Sequence, residues 1–350
     1  MPENQLIAGR YRLLSPLGEG GMGVVWHARD EVLARDVAVK EVRAPAGLAP
    51  ADERRLYRRL EREAWAAGRI SHRNVAAVHD VATEDARPWI VMELIRGLTL
   101  SEVLEAEGPL PPQRAAVIGA EVLAALSAAH DAGVLHRDVK PENVLIAADG
   151  RVVLSDFGLA TVAGAAPLTL TGELVGSPEF LAPERALGHP PGPAADLWSL
   201  GALLFTAVEG VTPFARSTPL ATLRAAVEQE LPPSRLSGEL APVITGLLRK
   251  EPGERLSARE ASRLLRLAGA GGGARTGAPP TPEPYTREPG PEPDSEPHIP
   301  SARPHGGPPP ETGAAEASGA SQGAAVVLAV GVALLLLAVC ALVWALIDGA

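Results

Sequence analysis

"HRDVKPEN", His136 to Asn143, crowds five side chains that can carry charge into eight residues: His136, Arg137, Asp138, Lys140 and Glu142. Asn143 adds an amide, and Pro141 keeps the segment from being a regular helix interior. Such a cluster is costly to bury without partners. It is either a solvated turn or a place where a carboxylate, an ammonium and an amide are held together for chemistry. Thirteen residues after Asn143 comes "DFG", Asp156 to Gly158. Asp138 can orient a hydroxyl and accept its proton, Lys140 can neutralise a moving anionic group, and Asn143 and Asp156 are hard oxygen donors of the kind Mg²⁺ takes.

Upstream, "GEGGMGVV" places Gly18, Gly20, Gly23 and Val25 in a G-x-G-x-x-G-x-V pattern. Alone this is a weak signal, because the same triplet opens dinucleotide-binding folds, which need a helix directly after the glycines. Here Val24, Trp26 and Ala28 alternate with Val25, His27 and Arg29 like a strand, so a strand–turn–strand lid over phosphates is expected instead. Seventeen residues after Gly23, "VAVK" puts Lys40 in an apolar strand, where its ammonium needs an anion. The following charged helix, residues 51 to 69, offers Glu61 and Glu63 as carboxylate partners.

The chain has 29 arginines but three lysines, Lys40, Lys140 and Lys250. A flexible point charge differs from a planar fork where it must meet a phosphate, so a lysine kept against that bias is informative. Lys250, outside any motif, reads as surface. The abundance of Arg, Ala, Gly and Pro suggests a GC-rich, bacterial coding bias. A net charge of −10 argues against non-specific nucleic-acid binding, and the single Cys340 excludes an internal disulfide or a Cys-rich zinc site.

Three regions separate by composition. Residues 8–268 alternate apolar segments with turn signals; the first third is strand-rich, and helical patterns dominate after residue 100, notably at 113–131, 195–209 and 238–249. Two lobes with a crevice between them are expected. Residues 271–322, with 13 prolines between Pro279 and Pro310, cannot bury enough apolar surface to order and read as a disordered linker. Residues 324–347 run 24 residues without a charge, enough to span a bilayer as a helix. Residues 348–350 would form a short extracytoplasmic tail, with no sensor domain beyond the membrane.

The glycine loop, VAVK, HRDVKPEN, DFG and "APE" (residues 182–184) together resemble the protein-kinase signature set. The details are similar to the membrane-anchored, eukaryotic-like Ser/Thr kinases of bacteria, especially of actinobacteria. The resemblance implies an α+β, bilobal protein-kinase fold, with a small β-rich N-lobe and a larger helical C-lobe. It implies ATP and Mg²⁺ as cofactors, with Mn²⁺ as a substitute, and protein substrates phosphorylated on Ser or Thr, the specificity that a lysine at position 140 marks. By motif, Lys40 would grip the α/β-phosphates and pair with Glu63, Asp138 would be the catalytic base beside Lys140, and Asn143 and Asp156 would hold the metal. Leu17, Gly18, Gly20, Gly23, Val25, Ala38 and Leu145 would enclose the nucleotide. Its adenine edge would bond the backbone around Glu93 to Ile95, with Met92 at the rear. His136, Phe157 and Gly158 would be structural. Glu184 would pair with Arg255, and Asp196 would brace the catalytic loop.

In this family an arginine such as Arg137 commonly meets a phosphorylated activation loop. Thr169 and Thr171 match the autophosphorylated pair by their distance from Gly176, and a homodimer would serve trans-autophosphorylation. One position departs: Ser177 stands where most relatives have threonine. It keeps a hydroxyl for Asp138 and Lys140 but changes the substrate-docking surface. The implied whole is a single-pass kinase facing the cytoplasm. The alternative is a membrane-tethered pseudokinase scaffold, against which the intact Lys40, Asp138 and Asp156 speak. A further reading makes Thr281, Thr286 and Ser295 phosphorylated docking sites in the linker.

Overall fold

The computed structural model describes residues 4–20, 23–45, 47–157 and 177–271. Gly158, Thr169, Thr171, all but the first residue of the 271–322 linker, the apolar run 324–347 and the tail lie outside the described residues. Among the described residues no helix is long and apolar enough to cross a membrane. Residues 1–283 form a compact unit of their own.

The first lobe is an antiparallel six-stranded sheet ordered β1-β2-β3-β4-β6-β5. Its strands are β1 (Leu6–Ile7), β2 (Tyr11–Gly20), β3 (Gly23–Asp30), β4 (Arg35–Glu41), β5 (Val78–Glu84) and β6 (Arg87–Met92), with helix α1 (Pro50–Ala67) inserted after β4. Period-two alternation sorts the side chains. Val24, Trp26, Ala28, Val37 and Val39 join Tyr11, Leu13 and Val91 in a core on one face. Ala38, Ile90 and Met92 pack on the other face against Leu56, Tyr57, Leu60 and Ala64 of α1. α1 starts with proline in its first turn, where a missing N–H costs nothing, and Asp52 and Glu53 there meet the positive end of the helix dipole.

A second sheet, β7 (Gly97–Thr99), β8 (Val144–Ala147) and β9 (Val152–Leu154), floors the cleft. The second lobe is helical: α2 (Leu100–Glu107), α3 (Pro112–Asp131), α4 (Pro183–Ala186), α5 (Pro193–Glu209), α6 (Pro219–Glu228), α7 (Ala241–Leu247) and α8 (Ala258–Gly269). Capping boxes Thr99/Glu102 and Ser257/Glu260 start α2 and α8. α5 is buried almost all round, and its Trp198 stacks on Phe214 at 5.5 Å between ring centroids. The expected single helix at 238–249 is instead a 3₁₀ turn, Gly238–Leu240, followed by the shorter α7.

Lys250 corrects the surface reading. It is half-buried, with Nζ 4.0 Å from the Phe214 centroid and 5.1 Å from that of Trp198, and it donates to the Ala226 carbonyl at 2.5 Å. Burial pushes its pKa down to about 8. The two ring faces work the other way by favouring the cation. The third lysine is therefore also in a place that suits a compact ammonium.

Candidate active site

The cleft is roofed by the β2–β3 hairpin, where Gly18 pairs with Val25 and Gly20 with Gly23. A strand follows the glycines, as the alternation predicts. Gly23 has φ +134°, and a Cβ there would stand 1.9 Å from the Glu41 carbonyl oxygen, so no other residue fits. β4 pairs with β3 and β6 so that Val25 faces Lys40 and Ala38 faces Met92 across the sheet. Leu145 lies on β8 in the floor. Between β6 and β7, the Glu93 N–H is taken by the Ala77 carbonyl at 2.8 Å. The Glu93 carbonyl and the Ile95 N–H have no backbone partner among the described residues, which leaves one acceptor and one donor for the edge of a planar heterocycle. The Glu93 side chain turns away and pairs with Arg151 at 2.6 Å.

Lys40 is 9% exposed, and its Nζ lies 2.9 Å from Asp156 Oδ1. The expected Lys40–Glu63 pair is not formed. Glu63 Oε1 accepts instead from Arg137 at 2.9 Å and from Arg59 at 3.1 Å. Two guanidiniums reach Glu63, from its own helix and from the loop below, both through Oε1. Its Oε2 is left buried without a hydrogen-bond partner among the described residues, while Asp156 neutralises Lys40. Burial raises the Asp156 carboxyl, but the Lys40 ammonium, with help from Lys140, holds it below its ordinary value.

In the loop before β8, Lys140 Nζ lies 2.9 Å from Asp138 Oδ2 and 3.1 Å from Ser177 Oγ. The Asn143 amide N–H donates to the Asp138 backbone carbonyl at 2.7 Å and to its Oδ2 at 3.2 Å. That orientation leaves the Asn143 side-chain oxygen available as an acceptor. The Asn143 backbone carbonyl accepts from Ser155 N–H at 2.9 Å, which ties Asn143 to the residue before Asp156. Among the described residues no group of three or more His, Cys, Asp or Glu side chains converges as an all-protein metal cage. Two hard oxygen donors beside a phosphate-binding roof suit a cation that completes its shell with phosphate oxygens and water, as Mg²⁺ does.

Buried groups hold this loop in shape. Asp196 accepts from the backbone N–H of His136 at 3.0 Å and of Arg137 at 2.8 Å, and meets His130 Nε2 at 2.8 Å. Burial raises its carboxyl, and the bond to His130 together with the His136 and Arg137 contacts more than reverses this, leaving the pKa lowered. Arg137 takes φ +71°, a left-handed value that a non-glycine residue keeps only when its surroundings fix it. His136 is fully buried, and burial pushes its pKa down. Its Nδ1 accepts from the Asp138 N–H at 3.2 Å and its Nε2 meets the Ser155 carbonyl at 2.8 Å, an arrangement that fixes the neutral Nε2–H tautomer. Phe157 packs edge-on against the His136 ring at 4.7 Å. Arg255, buried at 7% exposure, grips Glu184 through two bonds of 2.6 Å and also donates to the carbonyls of Ala194, Arg249 and Lys250.

His130, Ser155 and Arg59 are participants that the motifs do not contain. They come from separate elements, and no local spacing marks them.

A glycine-roofed sheet over a helical lobe, with a strand lysine above and a carboxylate–ammonium–amide loop below, defines the protein-kinase class of fold. The family model for the protein kinase domain matches residues 11–264. The chain belongs to that family. It is 39% identical over 280 residues to the serine/threonine-protein kinase PksC of Streptomyces coelicolor, covering 75% of this chain and 50% of that protein. It is 38% identical over 247 residues to PknA of Mycobacterium tuberculosis, covering 69% of this chain and 56% of that protein. The chain thus spans about half the length of these curated relatives. Among solved structures, the PknI kinase domain of M. tuberculosis matches with a TM-score of 0.59 at 28% identity, covering 77% of this chain and 99% of that one.

Proposed function

We propose that the chain is a Ser/Thr protein kinase that transfers the γ-phosphoryl group of ATP to protein hydroxyls with a divalent metal, Mg²⁺ by preference. The observation that carries this reading is the Asp138–Lys140–Ser177 cluster, with both Lys140 contacts near 3 Å, set beneath Lys40 and Asp156.

The chemistry follows from those positions. Asp138 accepts the proton of the incoming Ser or Thr hydroxyl as its oxygen attacks the γ-phosphorus and the bond to the ADP oxygen breaks. Lys140 offsets charge on the transferring group from the same side. Lys40 grips the α/β-phosphates, which take over from Asp156 as its anions. Asp156 and the Asn143 side-chain oxygen hold the metal, which neutralises the phosphate oxygens when bound. His136, kept neutral, and Asp196 fix the backbone that aims Asp138. The Glu93 carbonyl and Ile95 N–H hold the adenine edge.

The finer reading has three further parts. Thr169 and Thr171 are autophosphorylated between two copies of the chain. Phosphate on them draws Arg137 away from Glu63, which then turns to Lys40. The apolar run 324–347 anchors the chain in the cell membrane with the kinase domain on the cytoplasmic side, where ATP is.

The test is incubation of the full chain in vesicles with Mg-ATP, beside Asp138→Asn, with phosphosites read by mass spectrometry. Phosphate on Thr169 or Thr171 in the intact protein alone supports catalysis and the regulatory loop together. ATP binding without transfer to these threonines or to a generic protein substrate would sink the kinase reading and leave the scaffold. Alkaline carbonate extraction of membranes checks the anchor separately.

A further inference from the structure

α1 buries one side and shows the other. Leu56, Tyr57, Leu60, Ala64 and Ala67 face the sheet. At about 100° per residue, Arg55, Arg58, Arg62 and Trp65 fall together on the opposite side, and all four are exposed. Trp65 keeps 56% of its surface in solvent. No carboxylate lies within this stripe; Asp52 and Glu61 flank it. Arg55 makes one exposed contact, to Asp52 at 3.3 Å. Arg58 and Arg62 form no ion pair among the described residues, and their Nε atoms only donate back to the carbonyls of Arg54 and Arg58 at 3.3 Å.

In a chain of net charge −10 such a stripe is not a sample of the general surface. An acidic protein that gathers three guanidiniums, two of them without a carboxylate partner among the described residues, around a solvent-exposed indole has built a face for an anionic partner with an apolar margin. A phospholipid surface has both. Guanidinium forks match phosphate, and tryptophan settles at headgroup depth with its ring toward the acyl boundary. We propose that this outer face of α1 docks on an anionic phospholipid surface, with Arg55, Arg58 and Arg62 on headgroup phosphates and Trp65 inserted between them.

The presence of a bilayer beside the chain rests on the anchor reading of residues 324–347. Given that anchor, the face meets lipid at high effective concentration, so modest intrinsic affinity suffices. Each arginine near such a surface contributes about fivefold to partitioning, so the three together contribute about 100-fold.

The test uses residues 1–283, which form a compact unit and lack the apolar run. Their sedimentation with phosphatidylcholine vesicles is compared with that on vesicles also containing phosphatidylglycerol. Binding to the anionic vesicles only, weakened by salt, is expected. Replacing Arg55, Arg58 and Arg62 with Gln should lower it about 100-fold, and Trp65→Ala should lower it several-fold, with Mg-ATP binding unchanged as the check on folding. Equal binding to both vesicle types, or undiminished binding by the triple variant, overturns the proposal. Binding to polyglutamate without binding to vesicles would overturn it too and assign the face to an acidic protein. Anionic-vesicle binding by this fragment, with carbonate-extractable full chain, would sink the anchor and spare the face.

Discussion

The carboxylate of Glu63 accepts a hydrogen bond from Arg137 at 2.9 Å, across 74 residues of sequence. Lys40, the other cation that Glu63 could serve, is 2.9 Å from Asp156 instead. One carboxylate therefore has rival partners, and its choice is set by whatever else each cation can find. A phosphate that takes Arg137 would remove the strongest rival. Arg59, one turn back on α1, is a second and weaker one.

Arg59→Ala isolates that competition without touching the cleft. A partly exposed i,i+4 pair is worth about 0.3–0.5 kcal/mol, so releasing Glu63 from it should raise the initial autophosphorylation rate of dephosphorylated protein about twofold. A lower or unchanged rate would mean that Arg59 does not hold Glu63 away from Lys40.

Asp138→Asn keeps the shape of the side chain and the contact with Lys140 but removes the proton acceptor. Turnover should fall by about 10²–10⁴, while the affinity for Mg-ATP, measured calorimetrically, stays within a few-fold. A comparable loss of nucleotide affinity would place Asp138 in binding rather than proton transfer.

The loop around Asp138 was legible because its chemistry is contiguous: His136, Asp138, Lys140 and Asn143 sit within eight residues, and the loop that joins them fixes their mutual distance. The glycine hairpin and the strand of Lys40 were legible from period-two alternation. The partner of Lys40 was not. Whether it meets Glu63 or Asp156 depends on where α1 and the segment after β9 come to rest, and sequence spacing carries no such information. Lys250 was misread for the same reason: Trp198 and Phe214 reach it from 52 and 36 residues away. Asp196 was placed only through the family resemblance, since nothing local says that a helix residue will cap the His136 and Arg137 amides.

Asp30 gives a pH signature in the first lobe. Its side chain is shielded from solvent and accepts from Arg10 at 2.8 and 2.9 Å, and from the Val32 and Leu33 N–H groups. The bonds to Arg10 lead the causes that hold its pKa at about 2, against the ordinary 3.8. A carboxyl depressed on folding contributes stability above pH 3.8 and loses it as pH falls toward 2. Asp30→Asn in residues 1–283 should therefore cost about 2 kcal/mol at neutral pH, and the gap to wild type in urea unfolding should narrow between those two pH values. A gap independent of pH would show that the carboxylate charge is not what matters.

The Glu184–Arg255 pair separates the value of an ion pair from the cost of breaking it. Arg255 donates to Glu184 and to three backbone carbonyls around the α5 and α7 ends, and its guanidinium lies over the Trp198 ring at 5.2 Å. Removing Glu184 leaves that cation buried with carbonyls and the Trp198 ring but no carboxylate. Glu184→Ala should cost about 3–5 kcal/mol, since an unpaired buried charge loses its compensation without regaining water. Replacing both residues, Glu184→Leu with Arg255→Met, removes the two charges together and should cost clearly less than the sum of the single changes. The three carbonyls lose their donor in that variant, so some loss remains. Urea unfolding of the two singles and the double, closed as a cycle, measures the coupling. A coupling below about 0.5 kcal/mol would show that Glu184 is held by its helix rather than by Arg255, and that Arg255 is satisfied by the carbonyls alone.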